Sequence, residues 1–132
     1  MCNAGDIILV ESYRHGERTL TRHSFVVIST ESGTIGGLDY DFVCNVLSSY
    51  KNDAHKAKKS GYPGNFEITP KDETVSGGNR RDGYIKAEQL YYFNSEKTNY
   101  TVIGTLHQEV FERLIEFIES LKIPFEDITE NL

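Results

Sequence analysis

The sequence predicts an α+β domain that is mostly β, a small and strongly bent sheet or barrel with a C-terminal helix. Three observations carry this. Short runs of β-branched and aromatic residues recur along the first three quarters of the chain, each bounded by Gly, Pro or polar clusters. Helical periodicity appears in one place, near the C-terminus. The 132 residues hold enough apolar material for one core and too little for two. Residues 1–132 are therefore read as a single domain: a barrel over about 5–104, a helix over about 106–122 and an acidic tail over 123–132.

Gly5-Asp6 precedes Ile7-Ile8-Leu9-Val10, a buried first strand, and the polar stretch Tyr13 to Arg18 reads as a hairpin loop. Ser24-Phe25-Val26-Val27-Ile28-Ser29 is nearly all β-formers and gives the second strand. Glu31 to Gly37 is a connection, and a third strand covers roughly Tyr40 to Leu47. The polar stretch Lys51 to Asn65 reads as a long loop, of the kind that carries function in compact domains. Phe66 to Thr69 alternates as a strand, and Pro70 to Arg81 is a second polar loop. Tyr84 to Phe93 starts as a strand with a tight turn near Glu88, and Tyr100 to Gly104 is the last strand. In the helix, Thr105 and Gln108 have capping-box spacing. Val110, Leu114, Phe117, Ile118 and Leu121 form one apolar face, which Phe111 and Ile115 widen, and this excess together with Tyr91, Tyr92 and Phe93 is expected to form a dimer surface. Pro124 stops the helix, and the acidic tail from Phe125 is expected to be loosely held.

Twenty acidic against 14 basic residues give a net charge of −6, which argues against a general nucleic-acid coat while leaving room for a local basic site. No apolar run approaches the ~20 residues that span a bilayer. The N-terminus has no basic segment followed by an apolar one, so the expected compartment is the cytoplasm. Cys2, at an expectedly frayed terminus, and Cys44, in an apolar stretch, make neither a zinc site nor a disulfide framework. No two His have metal-ligand spacing, and neither metal nor cofactor is expected. The basic residues are nonetheless clustered. Lys51, Lys56, Lys58 and Lys59 share one loop with His55, flanked by Tyr50 and Tyr62, and Arg80 and Arg81 share another. Such loops can follow a single strand through phosphate contacts and stacking.

The order of segments resembles the PemK/MazF family of toxin endoribonucleases from bacterial toxin–antitoxin systems. The resemblance rests on Gly5-Asp6-Ile7-Ile8-Leu9-Val10, on Arg22-His23-Ser24-Phe25-Val26-Val27-Ile28-Ser29 and on Val43-Cys44-Asn45-Val46-Leu47-Ser48. It continues through Arg81 to Leu90 and through Val102-Ile103-Gly104-Thr105-Leu106, so it covers roughly residues 5 to 121. Ser24 stands where many relatives have Pro, and the two polar loops are long for the family. The resemblance implies an SH3-like barrel with a C-terminal helix, a homodimer and metal-independent cleavage of single-stranded RNA at a short sequence. In that reaction the ribose 2′-OH attacks the adjacent phosphate and leaves a cyclic phosphate. It also implies a cognate antitoxin whose acidic, disordered segment blocks the RNA groove.

That chemistry needs a base, an acid and a cation for the phosphorane charge. By motif alignment His23 falls on the family's catalytic basic position, Arg22 precedes it and Ser48 falls on its hydroxyl position. His suits proton transfer near neutral pH, Arg suits a phosphate clamp and Ser can donate to a phosphate oxygen. Strand alternation sends Arg22 and His23 to opposite faces unless the backbone bends. The resemblance implies an RNA contact at His15 in the first hairpin, and the basic loops offer Tyr50, Lys56, Lys58, Lys59, Arg80 and Arg81 as further contacts, with His55 either another contact or the second proton-transfer group. The alternative is a noncatalytic toxin on the same barrel, or an SH3-like module, acting through a protein partner as CcdB relatives do.

Overall fold

The computed structural model describes residues 1–75 and 81–132. Its strands are β1 (Asp6–His15), β2 (Arg18–Ser29), β3 (Gly33–Ile35), β4 (Leu38–Tyr40), β5 (Phe42–Ser49), β6 (Asn65–Ile68), β7 (Glu73–Val75), β8 (Gly83–Lys86), β9 (Gln89–Phe93), β10 (Tyr100–Leu106) and β11 (Glu126–Ile128). Two α-helices, α1 (Asp53–Ser60) and α2 (Gln108–Ser120), and a 3-10 turn at Pro70–Asp72 complete the described elements. None of the helices is long and apolar enough to cross a membrane.

The mostly-β expectation holds. Nine strands form one curled, half-barrel sheet in the order β11-β9-β5-β2-β1-β10-β7, with β8 also on β5 and β6 on β8. All its pairs are antiparallel except β11 with β9. The central strands are apolar on both sides because both faces are covered. Ile8, Val10, Tyr13, Phe25, Val27, Phe42, Cys44, Val46, Tyr91 and Phe93 pack together on one side, here the aromatic face. Ile7, Val26, Ile68, Ile85 and Leu106 pack with Val110 and Leu114 of α2 on the other, the helix face. Tyr91 and Phe93 are thus interior, and Phe111 lies over Gly5.

Several expectations shift. The first hairpin loop shrinks to Gly16-Glu17, with Gly16 at φ 63° in the first central position of a two-residue turn. The Glu31–Gly37 connection contributes the hairpin β3–β4. The loop expected over Lys51–Asn65 holds α1, started by Asn52, whose side chain accepts from His55 N, and favoured by Asp53 in the first turn and Lys58 and Lys59 in the last. Thr105 and Gln108 form no capping box. His107 is the N-cap without a side-chain bond, while Thr105 Oγ1 bonds to the Gly5 carbonyl at 3.2 Å. A capping box forms instead at Thr69 and Asp72.

Cys2 is not frayed but packed in the aromatic core, and both thiols are free. The acidic tail is held rather than loose. Ile128 is 1 % exposed and β11 pairs in parallel with β9. Asn131 bonds both the amide and the carbonyl of Arg14, and Glu130 accepts from the Gly16 amide. One apolar anchor and the free edge of β9 suffice to order a segment that composition alone marks as solvated.

The turn at Ala87-Glu88 does not reverse the chain, since β8 and β9 both run antiparallel to β5. Fully buried Asn45 fills the break in this ladder, its Nδ2 donating to the Gln89 carbonyl at 2.8 Å and the Ala87 carbonyl at 3.4 Å.

Candidate active site

The site sits where β2, β5 and β8 run past the core. Ser24 pairs with Leu47 and Leu47 with Ile85, and these residues belong to the helix face with Val26 and Ile85. Alternation then sends the neighbours to the aromatic face. His23 follows Phe25, Ser48 follows Val46, and Tyr84 and Lys86 flank Ile85. The next step of the Ser24–Leu47 register sets His23 opposite Ser48, and Ser48 pairs with Tyr84 on the far side. One row, His23-Ser48-Tyr84, therefore crosses three strands, with Lys86 two residues along from Tyr84.

His23 is partly buried, its ring edge-on to Tyr13 at 6.0 Å and Phe25 at 6.4 Å. Burial lowers its pKa from the ordinary 6.5, and the Lys86 ammonium lowers it further, partly offset by the Leu47 backbone. Both leading causes keep the imidazole neutral at pH 7, as a proton acceptor requires. Arg22 leaves the strand on the other side, its Nε 3.5 Å from Glu11 Oε2 on β1 and its side chain 65% exposed. Arg22 and His23 still border one groove of about 530 Å³, with Leu9, Ser24, Leu47 and Ser49. Ser48 borders an adjoining cavity of about 220 Å³ that shares Ser24, Leu47 and Ser49 with it.

The α1 region closes the far end of the row. Tyr50 is not an exposed stacking platform. It is 7% exposed, tilted against Tyr84 at 5.1 Å, with its hydroxyl 3.3 Å from Glu67 Oε1. A Tyr with apolar neighbours and a hydroxyl partner is more stable packed down than solvated. His55 lies 6.2 Å from Tyr84, ring to ring. Its Nδ1 accepts from the Lys51 amide at 3.0 Å, so the neutral ring carries its proton on Nε2. Partial desolvation and Lys59, Lys51 and Lys58 lower its pKa.

Lys56 pairs with Asp82 at 3.4 Å and lies 5.7 Å over the Tyr50 ring, and both Lys56 and Arg81 border a cavity of about 430 Å³. Lys58 and Lys59 border another, of about 310 Å³, which Lys86 also lines. Arg80 lies outside the described residues. His15 is engaged elsewhere, 2.7 Å from Glu126 Oε2 and 3.3 Å from the Tyr91 hydroxyl, where it ties the first hairpin to β11. Among the described residues no group of three or more His, Cys, Asp or Glu is gathered to hold a metal ion.

Sequence reading missed Lys86 and Tyr84. The signal was present, because Tyr84-Ile85-Lys86 alternates polar and apolar, and pairing Ile85 with Leu47 sends its two neighbours to the side of Ser48. No protein-family model matches the chain. No curated protein matches it either.

Proposed function

We propose that the protein is a metal-independent endoribonuclease that cleaves single-stranded RNA, the toxin of a toxin–antitoxin pair on an SH3-like barrel of the PemK/MazF type. The observation that carries this reading is the row His23-Ser48-Tyr84 with Lys86 beside it. The strand register sets a neutral imidazole opposite a hydroxyl residue, with an ammonium two residues beyond, and His23 of this row borders an open groove. In the proposed reaction His23 takes the proton of a ribose 2′-OH, and the 2′-oxygen attacks the adjacent phosphorus. Ser48 donates to a non-bridging oxygen, and the Lys86 ammonium balances the phosphorane charge. The P–O5′ bond breaks, the leaving oxygen takes a proton from Lys86 and a 2′,3′-cyclic phosphate remains. Arg22, paired with Glu11, serves as a phosphate contact in the groove rather than as the base.

The basic residues of α1 and its flanks, Lys56, Lys58, Lys59 and Arg81, extend the RNA path beyond the reaction site. The same positive groups suit an antitoxin segment that is acidic and folds on binding. The family resemblance favours a homodimer, to which the exposed apolar residues Leu38, Val102 and Phe125 are available. Incubating the purified protein with a long single-stranded RNA in EDTA tests the reading. Discrete fragments cut at a recurring short sequence are expected, and RNA that stays intact overturns it.

A further inference from the structure

The cavity of about 310 Å³ beside Lys86 has a chemistry that cleavage alone does not use. Its rim carries three ammonium groups, Lys58, Lys59 and Lys86, and the half-exposed ring of Tyr62. Its wall carries Glu88 and Asn65. Glu88 is 7% exposed, and its Oε2 has no hydrogen-bond partner among the described residues. Asn65 Oδ1 has none either, while its Nδ2 donates to the Lys59 carbonyl at 3.0 Å, which fixes the amide. None of the three lysines forms an ion pair with Glu88. A buried carboxylate oxygen left unpaired in the folded chain costs free energy and calls for an explanation.

Glu88 is also held in place. It sits in the Ala87-Glu88 break between β8 and β9, where the Ala87 amide donates to the Gly64 carbonyl at 2.9 Å and the Glu88 carbonyl accepts from the Glu126 amide at 2.8 Å. Its carboxylate lies against the Cα of Gly64, and any Cβ there would collide with it. Glu88, Asn65, the Tyr62 ring and three ammonium groups therefore line one cavity, the unpaired oxygens of Glu88 and Asn65 lying beneath its wall.

We infer that this cavity is a nucleobase subsite that takes a guanine of the RNA next to the scissile phosphate. The inference rests on the ribonuclease reading for its place beside the cut. Guanine alone among the four bases presents two adjacent donors, N1–H and N2–H₂, on its Watson–Crick edge, which a carboxylate accepts as a pair. Its neighbouring O6 acceptor suits a lysine ammonium. Uracil has one N–H between two carbonyls, which the carboxylate repels. Adenine and cytosine set a ring acceptor beside their single amino group. Tyr62 supplies a stacking surface. Lys86 lines this cavity and stands two residues from Tyr84 on β8, so the cavity adjoins the proposed reaction row.

Titration of the whole protein with 5′-GMP, 5′-AMP, 5′-CMP and 5′-UMP at low salt, followed by amide chemical shifts, tests this without any cleavage. GMP should bind roughly tenfold or more tightly than UMP, the scale of a bidentate base contact. Glu88→Gln should erase that preference and leave UMP binding unchanged. Equal affinity for the four nucleotides, or a preference that survives Glu88→Gln, overturns the subsite. The two proposals fail separately. A protein that prefers GMP yet leaves RNA intact contradicts the nuclease, and one that cuts RNA with no guanine beside the cut contradicts the subsite.

Discussion

His23 joins two pressures on one imidazole, burial against Tyr13 and Phe25 and the nearby charge of Lys86. Both disfavour the protonated ring, so its pKa falls below 6.5. As the proposed base, His23 must be neutral, and the acid limb of the cleavage rate should therefore lie below pH 6.5 and move up towards it in Lys86→Ala. A limb that Lys86→Ala leaves in place would contradict the pairing. The same shift sets a stability slope. Above 6.5 the ring is neutral in both folded and unfolded chains. Below it the unfolded chain binds the proton more tightly, so stability declines as pH falls, and urea titrations of His23→Gln should show a shallower decline. Ser48 offers one neutral hydrogen bond, so Ser48→Ala should cost about 1 kcal/mol of transition-state stabilisation, roughly fivefold in rate. At this scale the sequence told much. Motif order singled out His23 and Ser48, which the register sets in one row, and strand alternation separated the Arg22 and His23 side chains, although both still border one groove. Lys86 was legible in the alternation of Tyr84-Ile85-Lys86 but passed over, whereas Glu88 was not legible, because what distinguishes it is the break between β8 and β9 that Asn45 stabilises, a contact between residues far apart in the chain.

Helix α1 and strand β11 show where element-level reading stops. Helix α1 has no buried residue, so it lacks the apolar stripe by which helices are found, and its polar cap Asn52 carries the signal instead. Asn52→Ala should weaken the helix by about 1 kcal/mol. With nothing buried, the loss should be local: hydrogen exchange should quicken across 53–60 while β1, β2 and β5 keep their protection. Unchanged exchange in α1 would contradict the cap. Strand β11 was hidden for a different reason, since a parallel pairing with β9 has no local sequence pattern and two of its three residues, Glu126 and Asp127, are acidic. Its anchor is Ile128, and Ile128→Ala should cost roughly 2–5 kcal/mol by urea denaturation, as for other fully buried aliphatic residues. A cost near zero would mean that the tail is a passenger. By contrast α2 and the central strands were readable, because Val110, Leu114 and the runs of β1 and β2 bury the very residues that make their periods visible.

Across the whole molecule, a net charge of −6 coexists with basic residues gathered at two cavities, Lys56 and Arg81 at one and Lys58, Lys59 and Lys86 at the other. RNA binding should therefore weaken as salt rises, and reversing Lys58 and Lys59 should flatten that dependence with the fold intact. Light scattering at micromolar protein should report twice the 15.0 kDa of the chain, and a species of 15.0 kDa alone would remove the proposed homodimer. Tyr91 and Phe93 cannot serve that interface, being 2% and 0% exposed. The curled sheet carries β2, β5 and β8 past the core together, so that three residues from distant parts of the chain meet in the row on which the proposed function rests. The most direct test of that row is end-group analysis of RNA fragments made in EDTA by the wild type and by His23→Ala. The wild type should leave 2′,3′-cyclic phosphate and 5′-hydroxyl ends, and folded His23→Ala should cut roughly 10²–10⁴-fold more slowly. Fragments with 5′-phosphate ends, or equal rates in the two proteins, would contradict the account.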